Sequence, residues 1–228
     1  VPNQGNYPTG FLGVEYGPFE TGSTPTAGEP MQVRGLALRG ITLDDVDRRN
    51  NMVAKYDQAF GSFAQNDKIL AGMDEFSAKA YQMMRSTKAR EAFDLTKESA
   101  GITGMFDDQP FSQSCLLATR LVESGVKFVT LNLGGWDTHN DIFEAMHKYL
   151  VPRFDKTITT LIKDLDDRGL LETTLLVIMS EFGRAPVVAP EPRFKGNNAG
   201  RKHWASAYSI ALAGAGVQRG AEGAAAAP

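Results

Sequence analysis

Three histidines occur in the 228 residues, and two stand in short Trp-containing motifs: Gly-Gly-Trp-Asp-Thr-His, ending at His139, and Arg-Lys-His-Trp, containing His203. Asp137 lies two residues before His139. If that backbone is extended, period-2 geometry puts both side chains on one face, roughly 6.5–7 Å apart at Cα. Further along, an apolar run leads into Glu181-Phe-Gly-Arg184. Asp137, His139, Glu181 and His203 offer two imidazoles and two carboxylates, a donor set that suits zinc, manganese or iron and suits magnesium or calcium poorly. Arg184 adds a planar cation for an anionic oxygen. Such a set suits metal-assisted hydrolysis of a phosphate or sulfate ester, the metal polarising the ester or activating a nucleophile. Each residue also has a plainer reading: Asp137 as the cap of the next helix, His139 bonded to backbone, Arg184 paired with Glu181. Thr138, Ser180 and Ser206 lack an obvious partnered base, so no nucleophile stands out. His147 falls inside a helical pattern and reads as a surface or packing residue.

The elements that must position these groups can be read from periodicity. Phe111 to Ser124 reads as a helix ended by Gly125, and Lys127 to Leu133 as a short buried strand. Asp141 to Arg168 carries a helical apolar stripe that Pro152 must kink or divide, and Gly169 closes it. Thr174 to Ser180 reads as a second buried strand. Strand, long helix, strand is a βαβ unit with parallel strands, whose C-terminal ends share one sheet edge. Ligands collect at that edge, which brings Asp137, His139, Glu181 and Arg184 together. Residues 185–200 form a Pro, Gly and Asn loop, followed by an apolar run from Ala207 to Ala213. If that last strand is antiparallel, its start lies at the same edge and His203 joins the cluster.

Ahead of this core, residues 1–41 are loop-rich, with Tyr7, Phe11, Tyr16 and Phe19 available to pack on something else. Thr42 caps a helix running to about Phe63; a second spans Asp67 to Met84 and a third Ser86 to Phe93. The organisation expected is a loop-rich segment (1–41), a helical insertion or lid (42–108), an α/β core (109–220) and a low-complexity tail (221–228). A net charge of −3 with both signs interspersed argues against a nucleic-acid partner. No apolar run is long enough to span a membrane. Cys115 is the single cysteine, which rules out an internal disulfide and reads as a packed thiol.

GGWDTH, then DLDDRGLLETTLLVIMSEFGRAP, then GRKHW and a strand ending LAGAGV resemble the DUF1501 family, an uncharacterised bacterial family placed with the alkaline phosphatases and sulfatases. GFLGVEYGPF, RRNNMVAKYD and QSCLLATRLVESGVKFVTLN extend the resemblance from about residue 10 to 220. The resemblance implies a three-layer α/β sandwich with a mostly parallel central sheet and a metal site at the carboxyl edge of its strands. It implies that Asp137, His139, Glu181 and His203 bind the metal and that Arg184 orients the anion of a phosphorylated or sulfated substrate. Members of the family look longer, with an export signal and an amino-terminal segment carrying the superfamily's nucleophile position. The resemblance therefore implies a periplasmic or exported protein, and either a partner or an amino-terminal segment over the sheet edge. Two departures stand out: Glu181-Phe182 replaces the Asp-His of classical superfamily members, and Lys202 replaces the Asp of Gly-Arg-Asp-His-Trp. A lysine there opposes a cation unless it points away or binds the substrate anion. A non-catalytic binding or assembly subunit that keeps the fold is the rival reading.

Overall fold

The computed structural model describes residues 17–31, 33, 42–60, 82, 85–218 and 220. The chain forms two compact units, Val1–Ser99 and Ala100–Pro228. In the first unit, helix α1 (Leu43–Phe60) begins as the Thr42 signal predicts. The Thr42 hydroxyl accepts from the Asp45 amide at 3.1 Å, and the Asp45 carboxylate accepts from the Thr42 amide at 2.8 Å. This reciprocal pair satisfies two helix-end donors at once. Helix α2 (Thr87–Ala92) is capped by Ser86, whose Oγ accepts from the Ala89 amide. Val33, Val46, Ala92, Phe93 and Leu95 are buried, and Phe19 meets Phe93 with ring centroids 6.4 Å apart. The helix expected over Asp67–Met84, and the aromatics Tyr7, Phe11 and Tyr16, lie outside the described residues.

The second unit is built on two packed helices. Helix α3 (Ala100–Met105) leads to α4 (Pro110–Glu123), which begins with proline, the residue whose missing N–H costs nothing in a first turn. Phe111, Cys115, Leu116, Leu117 and Ala118 are buried along α4, and burial pushes the Cys115 thiol up to about 12, so it is an inert packing group. After α5 (Ile142–Ala145) comes one π-helical turn, Met146–Leu150, and then α6 (Val151–Asp167). Pro152 lies just past the π turn. A proline cannot donate to the turn before it, so the ladder widens there and the helical path continues instead of breaking. Helix α6 packs against α4, burying Thr157, Leu161, Asp164 and Leu165.

Both helices end in the same way. Gly125 and Gly169 have φ of +102° and +68°. At the first, the Gly125 amide donates to Val122 O and the Val126 amide to Leu121 O, each at 2.9 Å; at the second, Gly169 donates to Asp166 O and Leu170 to Leu165 O at 2.9 and 2.8 Å. These bonds satisfy carbonyls that have no partner within the helix, and the left-handed residue turns the chain away. Two glycines read from the sequence as helix stops therefore fix where the chain leaves the helical layer.

The strands are short. β1 (Leu176–Ile178) pairs antiparallel with β4 (Ala211–Ala213), Val177 opposite Leu212. β2 (Gly183–Arg184) pairs antiparallel with β3 (His203–Trp204), Arg184 opposite His203. The last strand is antiparallel, as expected, but among the described residues the sheets are two small antiparallel ribbons and no parallel ladder is formed. Lys127–Leu133 joins neither ribbon, yet its burial keeps strand periodicity: Val129, Leu131 and Leu133 are half-buried, while Phe128, Thr130 and Asn132 are exposed. Period-2 patterning sets which side of a chain packs inward; a ladder needs a neighbouring backbone as well.

Leu116 is fully buried and Gly169 stands in open space with a left-handed backbone, so the two should fail by different amounts. In urea denaturation of the full chain, Leu116→Ala should lower stability by about 2–5 kcal/mol and Gly169→Ala by about 1 kcal/mol. The reverse order would show that the helix stop, and not the α4–α6 packing, carries the unit.

Candidate metal centre

Trp136 anchors the motif that ends at His139. Its ring meets Phe154 of α6 edge-on, with centroids 5.6 Å apart. The Thr138 amide then donates to Trp136 O at 2.8 Å, closing a three-residue turn around Asp137. The backbone here is turned, not extended, and this turn presents the Asp137 carboxylate, which is 72% exposed.

His203 arrives from β3. Its Nε2 lies 2.6 Å from Asp137 Oδ1; an ionised carboxylate only accepts, so Nε2 is the protonated nitrogen. This bond, helped by the charges of His203, His139 and Arg184 and opposed by partial burial, holds the Asp137 carboxyl below its ordinary range. His139 Nδ1 lies 3.7 Å from the same oxygen. Four rings are arranged in succession: Phe194 stacks on His139 at 3.8 Å and 9°, His139 meets His203 at 4.8 Å, and His203 meets Phe182 at 4.4 Å. The His139 side chain is only 8% exposed, and its Nδ1 is buried without a hydrogen-bond partner.

Arg184, across the β2–β3 ribbon from His203, spends its guanidinium mainly on backbone. Nη2 donates to Trp136 O at 2.7 Å and Nη1 to Arg201 O at 3.4 Å, while Asp137 Oδ1 is 3.5 Å from Nη2. It ties the Trp136–His139 turn to the ribbon. Glu181 is exposed, and its carboxylate is not among the ligand-type atoms of Asp137, His139 and His203, which lie within 4.8 Å of one another.

The loop between β2 and β3 completes the site, and sequence reasoning passed over its anchors. Asn140 grips it three times: Nδ2 donates to Glu191 O at 3.0 Å and Phe194 O at 2.9 Å, and Oδ1 accepts from the Glu191 amide at 2.9 Å. Asp141, in a left-handed conformation at φ 55°, accepts from the Asn197 and Asn198 amides at 3.0 and 2.8 Å and from Asn198 Nδ2 at 2.7 Å. Gly200 is packed so closely that a Cβ would lie 1.4 Å from His139 O, and a Cβ on Gly196 would lie 2.5 Å from Asn140 Cβ. The visible signal was Asn-Asp directly after Thr-His, facing a loop rich in Gly and Asn.

Lys202, the departure flagged in the sequence, is answered by Glu191. This carboxylate is 7% exposed and ion-pairs Arg193 Nε through Oε1 at 3.1 Å and Lys202 Nζ through Oε2 at 3.0 Å. Arg193 first, then Lys202, bring its pKa down to about 2. Asp137, His139 and His203 share with Glu191, Arg193, Phe194 and Lys202 the lining of one open cleft of about 370 Å³.

The donor set fits a divalent ion in kind. Donors about 2.0–2.1 Å from a tetrahedral zinc stand about 3.3 Å from one another. The 3.7 Å between His139 Nδ1 and Asp137 Oδ1 is close to that, whereas the 2.6 Å contact to His203 is a hydrogen bond that must lengthen and lose its proton. Phe194 behind His139 and the orphaned Nδ1 are what a ligand imidazole held ready would show.

Helices, small antiparallel sheets and a two-histidine, one-carboxylate cluster in a cleft define a mixed α/β protein with a candidate metal centre. The sequence profile described as "Protein of unknown function (DUF1501)" matches residues 2–226, and the chain belongs to that family. No curated protein and no solved structure matches it.

Asn140→Ala removes all three side-chain bonds to the loop, and each buried backbone group left unpaired costs about 1–3 kcal/mol. Hydrogen exchange of residues 189–200 should accelerate by roughly tenfold or more at pH 7 while α4 and α6 keep their protection. A depressed carboxyl pKa stabilises above its ordinary value of 4.5 and loses that contribution as pH falls toward about 2. The loop should therefore keep its protection from pH 7 to about 5 and lose it between about 4.5 and 2; protection already lost between pH 7 and 5 would show that the Glu191 ion pairs do not hold the loop.

Proposed function

We propose that this protein is a hydrolase-like member of the alkaline phosphatase and sulfatase superfamily that hydrolyses phosphate or sulfate esters at a divalent metal held by Asp137, His139 and His203. The observation carrying this reading is the His139 side chain, 8% exposed, with an unpartnered Nδ1 facing Asp137 and a second imidazole at 4.8 Å. Leaving a buried ring nitrogen unpaired costs free energy, and a metal bond removes that cost. When bound, zinc, manganese or iron supplies Lewis acidity toward an ester oxygen and lowers the pKa of water. Phe194 fixes the His139 ring and keeps water from its face. Asp137 accepts a hydrogen bond from His203 Nε2 in the metal-free arrangement, and the two would hold the metal after that N–H gives its proton to solvent. Glu191 ion-pairs Lys202 and so reduces that cation's opposition to metal entry. Glu181 stands in this reading as a further ligand position. The three-layer sandwich with a mostly parallel sheet, the helical lid and a periplasmic or exported location belong to this reading.

A second reading is a non-catalytic binding or assembly subunit. It is favoured by Arg184, whose guanidinium serves two backbone carbonyls, and by the Asp137–His203 hydrogen bond, both of which make sense as structure alone.

Metal analysis of protein purified without chelator separates the two. The hydrolase reading expects near-stoichiometric zinc, manganese or iron, lost in His139→Ala/His203→Ala with the fold retained by circular dichroism, and turnover of aryl phosphate or sulfate esters that falls with the metal. Protein that holds no metal and takes up none on addition belongs to the second reading.

A further inference from the structure

Two cations share the cleft with the histidine cluster, and the structure places them with care. Arg193 and Lys202 are 79% and 63% exposed, so their heads reach solvent. Yet neither is free to wander. Each is paired to a separate oxygen of Glu191, whose side chain is 7% exposed and whose backbone N–H and C=O are both held by Asn140. A surface ion pair normally contributes little, because two long side chains must be ordered for a screened attraction. Here the carboxylate is already fixed, which lowers the ordering cost of both cations.

The pairing also leaves donors unused. Arg193 meets Glu191 through Nε alone, so among the described residues its two Nη groups have no partner. Lys202 Nζ stands 3.0 Å from the other carboxylate oxygen as an ion pair, and its side chain is 63% exposed. Arginine and lysine against one glutamate leave a net positive charge, a planar fork and a point charge, at the lining of the same cleft as His139 and His203. That is donor chemistry for a tetrahedral oxyanion.

We propose that Arg193 and Lys202, pre-positioned by Glu191, form an oxyanion subsite of the cleft, separate from the Asp137–His139–His203 cluster and able to bind phosphate or sulfate without a metal. It rests on the hydrolase reading only for what the oxyanion is attached to: there it holds the charged oxygens of the ester beside the two imidazoles and excludes neutral esters. Arg184, bound to carbonyls, does not carry that role.

The test is binding of inorganic phosphate, measured by calorimetry on chelator-treated full chain and repeated with inorganic sulfate. Wild type should bind, and Arg193→Gln/Lys202→Gln should weaken binding by roughly tenfold or more, the scale of losing two charge-assisted contacts. Lys148→Gln/Lys163→Gln, which removes two cations of the same unit that pair Glu144 and Asp167 outside the cleft, should leave it within about twofold. Removing both cations leaves Glu191 unpaired, so a triple variant with Glu191→Gln is measured alongside; it should fold and should still fail to bind. The subsite is overturned if the Arg193 and Lys202 variants bind as wild type does, if Lys148→Gln/Lys163→Gln loses binding equally, or if no phosphate binds under any condition. It is also overturned if phosphate binds only to zinc-reconstituted protein with Arg193 and Lys202 dispensable, a result that would leave the hydrolase reading standing.

Discussion

The candidate site depends on the docking of residues 189–200 onto the turn at His139–Asp141. One side chain, Asn140, satisfies backbone groups of both Glu191 and Phe194, and Asp141 accepts three bonds from Asn197 and Asn198. A long loop has many backbone donors and acceptors with no ladder to satisfy them, so it keeps one conformation only where side chains take that part. Everything that characterises the cleft follows from this clasp. It sets Phe194 on His139, buries Glu191, and through Glu191 holds Arg193 and Lys202.

The clasp also explains the unusual backbone. Asp141 is left-handed, an arrangement asparagine and aspartate tolerate because their short side chains bond nearby amides. Gly196 and Gly200 lie where any side chain would strike the His139–Asp141 segment. Two close approaches and one strained residue within a few positions of a ligand-type histidine mark a place where local cost is offset by many specific bonds, as functional sites often do. By contrast, the helical layer is built from ordinary means: a buried face on α4, its counterpart on α6, and a left-handed glycine at each C-terminus.

Electrostatically the cleft is two half-sites. On one side a carboxylate gathers two imidazoles; on the other a buried carboxylate gathers two cations. The second keeps a net positive charge, and the two line one cleft. A divalent cation would suit the first half and an oxyanion the second, a pairing that lets opposite charges be brought together in a partly desolvated space without either half being unstable alone.

Legible in the sequence were the starts and stops of several helices and three members of the cluster, while Glu181, read with them, is not among the grouped ligand atoms. Thr42, Ser86, Gly125 and Gly169 act through bonds a few residues away, so their signals are local and legible. Asp137, His139 and His203 were recognisable because histidine is scarce in the chain and two of three sit in distinctive motifs. The family was legible from the same motifs. Tertiary structure alone decided how they meet. The turn at Asp137 replaces the extended spacing read from the sequence, His203 arrives on a two-residue ribbon with Arg184, and Arg184 turns to carbonyls instead of the cleft. Glu191 and Phe194 could not be picked out, since a polar or aromatic residue in a Pro- and Gly-rich loop gains its meaning only from what lies opposite it. Lys127–Leu133 shows the same division: its alternation fixed which side chains pack inward, but strand pairing is a property of two backbones, and a single stretch of sequence specifies only one.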